Sequence, residues 1–154
     1  MATYARDVMT NKIMMISVGQ SLADAMELMV EKRIRHLPVV DAELKIVGIL
    51  QLQDFSGLSN LEDQYVEAYM TTPVEWVSQE MPLRAAVLKM LEKKIHSLLV
   101  ADENNELVGI VTSEDLLWIL ARSLEKSEKK HSVLTLFDIE SLDEIAHQIA
   151  QTGL

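Results

Sequence analysis

Sliding the chain along itself by 61 residues brings Met9-Thr10 onto Met70-Thr71, Ser17 onto Ser78 and Leu22 onto Leu83. The same shift places Glu31-Lys32 on Glu92-Lys93, Leu37 on Leu98, Asp41 on Asp102, Val47-Gly48-Ile49 on Val108-Gly109-Ile110 and Asp54 on Asp115. From Met9 to Asp54 the register needs no gap, and 16 of the 46 positions are identical. Self-similarity at a fixed period marks a tandem duplication. One copy of roughly 50 residues buries too little apolar surface to stand alone, so two copies in a 154-residue chain are expected to share a core.

Each copy reads in the same order. A short apolar strand ("IMMISV", "VEWVSQ") leads into a helix with apolar residues at Leu22, Ala25, Met26 and Met29, matched by Leu83, Ala86, Val87 and Met90. These are helical spacings. Ser21 with Asp24 forms a capping box, and Pro82 suits the start of the second helix. A strand ("HLPVVD", "SLLVAD"), a turn ("AELK", "ENNE") and another strand ("IVGIL", "LVGIV") follow. A second helix closes each copy, ending near Asn60 in the first and running past Trp118 in the second. The expected architecture is α+β: two β-α-β-β-α units, packed sheet to sheet with pseudo-twofold symmetry and two equivalent clefts between the copies. The first repeat is placed at residues 5–62, the second at 66–125, and an extension at 126–154. In that extension Ser141 and Glu144 form a capping box, and Leu142, Ile145, Ala146, Ile149 and Ala150 make one apolar face of a helix near 142–151. Such a helix needs a partner: its own module, a second subunit or an output domain.

Composition removes several function classes. There is no cysteine, hence no disulfide, thiol nucleophile or thiolate metal site. A formal charge of −10, from 14 basic and 24 acidic residues, would repel nucleic acid. Apolar runs are far shorter than the roughly 20 residues of a membrane span, and "MATYARDVMTNK" has no signal-peptide pattern. A cytoplasmic protein without membrane contact is expected. His131 and His147 lack partners at metal-ligand spacing, and no catalytic constellation stands out, so neither a catalytic nor a metal residue is assigned.

Two echoing stretches carry what chemistry there is, "GIVTSEDL" (Gly109–Leu116) and "GILQLQDF" (Gly48–Phe55). Asp115 falls in a first helical turn, where free N–H groups and the helix dipole favour a carboxylate. It can accept hydrogen bonds from a pair of hydroxyls, while Thr112 can donate one and the helix N-terminus adds donors for an anion. The plain alternative is a helix cap by Thr112 or Ser113, with Asp115 complementing the dipole. In the first copy Gln51 replaces the threonine and Leu52 the serine, while Asp54 remains.

A duplicated β-α-β-β-α unit with "MT" at its start, "hLPVVD" in the middle and "GhhTxxD" at the last strand-to-helix turn resembles a pair of CBS domains, a Bateman module, over roughly residues 5–125. The resemblance implies a regulatory module that binds adenosine-containing ligands (AMP, ADP, ATP or S-adenosylmethionine) and pairs into a homodimer, with no catalysis and no required cofactor. It carries ribose and phosphate contacts to Thr112 and Asp115, with Asp54 as the first-copy counterpart. Phosphate contacts fall on Arg35 and His96, six residues before the strand-ending aspartates, beside His36 and Ser97. The base falls against Ile13 and Met15 or Val74 and Trp76, next to Thr71 of the second "MT". Lys32, Lys93 and Lys94 sit where helix C-termini favour positive charge without any ligand. On this reading the second copy holds the stronger site and the first an altered one. The competing reading is a ligand-free dimerisation or docking module, and either would act on an unidentified regulated protein.

Overall fold

In a computed structural model of the chain, residues 4–127 are described here. Among the described residues the chain divides after Ser113, with residues 4–113 in one compact unit and those from Glu114 onward in another. The expected helix near 142–151 lies outside the described residues.

The sheets of both repeats lie in the first unit, each of three strands. In the first, β1 (Ile16–Ser17) runs parallel to β2 (His36–Val40), which pairs antiparallel with β3 (Ile46–Gln51); α1 (Leu22–Lys32) connects β1 to β2. The second repeats this with β4 (Trp76–Ser78), α2 (Leu83–Lys93), β5 (Ser97–Ala101) and β6 (Leu107–Thr112). Even the irregularity recurs, between Val39 and Val40 and between Val100 and Ala101.

The local chemistry accounts for these boundaries. Ser21 caps α1 by accepting from the Asp24 amide at 3.1 Å, while the Asp24 carboxylate accepts from the Ser21 amide at 3.2 Å, the expected capping box. Both helices end in a left-handed residue, Arg33 and Lys94, each with φ 54°. The hairpins turn on Asp41 and Asp102: Asp41 Oδ1 accepts from the amides of Glu43 (3.0 Å) and Lys45 (2.9 Å), and Asp102 Oδ1 from those of Asn104 (2.8 Å) and Glu106 (3.0 Å). Side chains that bond their own backbone in this way make tight turns. The duplicated aspartates of "VVD" and "VAD" are thus turn-formers.

Each sheet is covered on both faces, which is why β2 and β5 are nearly continuous apolar runs. Leu22, Ala25 and Met29 of α1 pack with Ile16, Leu37, Val39, Leu50, Phe55 and Val66 on one side. On the other side Ile49, Leu99 and Ile110 join the two repeats, with Ile13, Ile46, Val74 and Leu107 packed against them. The expected sheet-to-sheet core is this cluster.

The pseudo-twofold is written in the hydrogen bonds. Thr10 exchanges two backbone bonds with Ile110 (2.9 and 3.1 Å), and Thr71 exchanges two with Ile49 (2.8 and 3.1 Å). The Ala5 amide donates to Met81, and the Val66 amide, 61 residues on, donates to Gln20. Each opening segment is therefore anchored on the opposite repeat. Strand pairing begins only at Ile16 and Trp76, later than the apolar runs from Ile13 and Val74, because the earlier residues serve the contact between repeats.

The closing helices differ. Residues 113–127 are helical, whereas the first copy has a single 3-10 turn, Leu52–Asp54, in place of the expected helix. Leu52 offers no capping oxygen where the second copy has Ser113, and Phe55 is drawn into the core at 1% exposure, bending the chain inward. Among the described residues no helix is long and apolar enough to cross a membrane.

Candidate functional site

A shallow, half-open cleft lies between the repeats, lined by Ile49, Gln51, Thr71, Pro73, Val74, Glu75, Ile95, His96 and Ser97. Three apolar side chains, Ile49, Val74 and Ile95, give it a wall for a flat apolar group. Gln51, Thr71, His96 and Ser97 supply hydrogen-bonding groups, and Glu75 a carboxylate.

The backbone that presents these groups is pinned. The His96 carbonyl accepts from the Ser113 amide at 3.0 Å and lies 3.4 Å from its hydroxyl, which fixes the start of β5 against the end of β6. In the first copy the Arg35 carbonyl accepts from the Leu52 amide at 2.9 Å, the same bond one repeat earlier. Ser113 is thus a tie between strands as well as a candidate cap. The Thr71–Ile49 bridge holds the opening segment of the second repeat against the last strand of the first, so Thr71 and Gln51 meet in one cleft.

Glu75 is held from behind. Lys89 Nζ lies 3.1 Å and Lys93 Nζ 3.5 Å from its carboxylate, and Lys89 also donates to the Trp76 carbonyl at 2.8 Å. The Lys89 hydrogen bond is the main reason the Glu75 carboxyl titrates below its ordinary value; desolvation opposes it, and the charges of Lys89 and Lys93 add to the lowering. Neither lysine lines the cleft. In the first copy the same positions are Met14 and Leu28, both packed on the apolar core.

Of the residues proposed from sequence, this cleft unites Thr71, Val74, His96 and Ser97. Trp76 is on β4 with 37% exposure and does not line it. Thr112 is the last residue of β6, opposite Ser97 in the strand register, and His36 stands opposite Gln51 in the same way. Ile13 packs on the cluster between the repeats, as Val74 does. Arg35 precedes β2 and is exposed, Asp54 is an exposed member of the 3-10 turn after Gln51, and Asp115 belongs to the helical residues 113–127.

The sequence reading grouped the candidate contacts of the stronger site within the second copy. In the structure, the cleft holding Thr71, Val74, His96 and Ser97 takes its opposite wall, Ile49 and Gln51, from the first copy. Glu75 was missed, although the 61-residue register already showed Met14 and Leu28 giving way to Glu75 and Lys89. Among the described residues no group of three or more acidic or histidine side chains is arranged to hold a metal ion.

Comparison with known proteins agrees with this construction. The CBS domain family matches residues 5–58 and again 66–122. The chain is 37% identical over 114 residues to a homoserine O-acetyltransferase of Methanohalobium evestigatum, a match covering 74% of this chain and 23% of that relative. The chain thus spans about a quarter of the length of that relative. Among solved structures, the CBS domain pair of protein MJ0100 in complex with 5′-methylthioadenosine and S-adenosyl-L-methionine superposes with a TM-score of 0.70 at 27% identity, covering 79% of this chain and 98% of the other. The CBS domain of a bacterial CNNM/CorC family Mg2+ transporter in complex with ATP gives 0.63 at 27% identity, covering 75% and 84%. With two matched domains that span most of its length and an interlocked pair of α+β repeats, this chain belongs to the CBS domain family as a tandem CBS pair.

Proposed function

We propose that the protein is a regulatory module that binds an adenosine-containing ligand between its two CBS repeats and passes the binding on to another protein or to the packing of two copies. The observation that carries this reading is the cleft itself. Its apolar wall of Ile49, Val74 and Ile95 suits a purine face, and Gln51, Thr71, His96 and Ser97 suit the polar edges of a nucleoside. Asp54, three residues after Gln51, is the carboxylate nearest in sequence for the ribose hydroxyls. Two structural neighbours with adenosine-type ligands in their CBS domains support the ligand class: 5′-methylthioadenosine with S-adenosylmethionine in one, ATP in the other. The module acts in the cytoplasm, is not an enzyme and needs no cofactor beyond its regulatory ligand.

The test is thermal stabilisation by AMP, ADP, ATP, S-adenosylmethionine and 5′-methylthioadenosine. A ligand present at a hundred times its Kd stabilises the fold by about 2.7 kcal/mol, a readily measured shift. A rise in melting temperature with at least one of the five supports the reading. No rise with any of them supports a ligand-free docking module instead.

That second reading has its own observation. Leu117, Trp118, Leu120 and Leu124, on the helical residues 113–127, are 54–64% exposed. Apolar residues so placed suit a second copy of the chain, and light scattering that finds only monomer argues against pairing.

A further inference from the structure

The two clefts of the pair differ in charge, and the difference follows from the way the repeats interlock. Each cleft takes its opening segment and hairpin from one repeat and its last strand from the other. The Ile49–Thr71 backbone pair closes the described cleft, and the equivalent Ile110–Thr10 pair, bonded at 3.1 and 2.9 Å, closes its twin. The 61-residue register then gives the composition of the twin position by position. Lys12 takes the place of Pro73, Met14 of Glu75, Arg35 of His96, His36 of Ser97, and Thr112 of Gln51.

These exchanges all act in one direction. The described cleft has one carboxylate, Glu75, held ionised by Lys89 and Lys93 from behind, and no lysine or arginine in its lining. A phosphate chain placed there would face the Glu75 carboxylate, whose two lysines are engaged with it from behind, and the long Gln51 side chain. The twin has no acid at that position, because Met14 is packed into the core instead. The register assigns to it Lys12 and Arg35, both exposed, with His36 and the short side chain of Thr112. Arg35 projects from a backbone fixed by the Leu52 amide, so its guanidinium can grip a phosphate without first ordering the chain. In a protein of formal charge −10, two cations and no acid at these equivalent positions are a local exception.

We propose that the two clefts divide the ligands: the Thr10–Arg35–Thr112 cleft takes the phosphate-bearing nucleotide, and the Thr71–His96–Gln51 cleft takes an adenosine derivative without a phosphate chain. This rests on the nucleotide reading above and adds the assignment of each cleft. The basic twin loses affinity as ionic strength rises, because its contacts are partly exposed charges. The described cleft, which takes a ligand without a phosphate chain, does not.

The experiment is isothermal titration of the full chain with ATP and, separately, with 5′-methylthioadenosine. Wild type is expected to bind one equivalent of each, and neither displaces the other. Arg35→Gln is expected to lose about tenfold or more in ATP affinity, the worth of one charge-assisted contact of about 1.4 kcal/mol, with 5′-methylthioadenosine binding unchanged. The triple exchange Gln51→Thr, Glu75→Met and His96→Arg installs the twin's residues in the described cleft and is expected to raise ATP stoichiometry from one to two. This gain of a site requires a folded protein, so it separates the proposal from simple damage. Two ATP per wild-type chain, competition of the two ligands for one site, or ATP affinity indifferent to Arg35→Gln overturns the division of ligands alone. Failure of both ligands to bind overturns the nucleotide reading with it.

Discussion

Met9 of the first repeat occupies the space that a side chain on Gly109 of the second would need, and Met70 does the same to Gly48. A Cβ on either glycine would come within 2.7 Å of the methionine Cγ and within about 3.0 Å of its Cβ, close to the backbone where the side chain has little room to yield. The paired "MT" and "VGI" motifs are therefore the two halves of one contact, made twice across the pseudo-twofold.

Gly109→Ala and Gly48→Ala are each expected to destabilise the fold by about 1–3 kcal/mol, the usual cost of overpacking. Truncating the opposing methionine restores room, so Gly109→Ala combined with Met9→Ala should cost less than the sum of the two changes. Urea unfolding of the four proteins in that cycle measures the coupling, and strict additivity would contradict the contact.

Leu44 adopts φ 61° at 78% exposure, a left-handed conformation in which a Cβ is unfavourable. The equivalent residue of the second hairpin is Asn105 at φ 60°, a residue type that tolerates this region. Leu44→Asn is expected to stabilise the protein by about 0.5–1 kcal/mol, seen as a higher melting temperature.

The ion pair behind the described cleft has a definite pH signature. The carboxyl of Glu75 is lowered from 4.5 on folding, chiefly by its hydrogen bond from Lys89. Its contribution to stability is therefore complete above 4.5 and fades as the pH falls through the lowered value. Glu75→Gln should melt below wild type at neutral pH, and the gap should close in acid. A gap that stays constant from pH 7 to pH 3 would show that the pair contributes nothing through charge.

Ser21→Ala removes the side-chain acceptor for the Asp24 amide at the start of α1 and should cost about 1 kcal/mol in denaturant unfolding. The other helix has Pro82 at this position with no side-chain cap, so Pro82→Ser is expected to be far milder than the loss at Ser21.

Much of the fold was legible because identical residues do identical structural work in both copies. Asp41 and Asp102 turn the hairpins, and the shared helical positions Ala25 and Ala86, Met29 and Met90 are buried as their spacing requires. The closing helix of the first copy was not legible, because its apolar spacing is the same whether Phe55 lies on a helix or, as here, is pulled into the core by a 3-10 turn. The composition of the cleft was also hidden, for a physical reason. A repeat alignment says which residues are equivalent, not which touch, and under a twofold exchange the residue that meets Thr71 is Gln51 of the other copy. Glu75 escaped notice because its significance depends on Lys89, fourteen residues away on α2.

The central claim, that ligands sit between the repeats and draw contacts from both, is tested most directly by NMR titration of the isotope-labelled chain with 5′-methylthioadenosine and then ATP. The first ligand is predicted to move the Gln51 side-chain amide together with the resonances of Val74 and His96, and the second to move Thr112 together with Ile13 and Arg35. Shifts confined to the residues of a single repeat, or no shifts with either ligand, would contradict it.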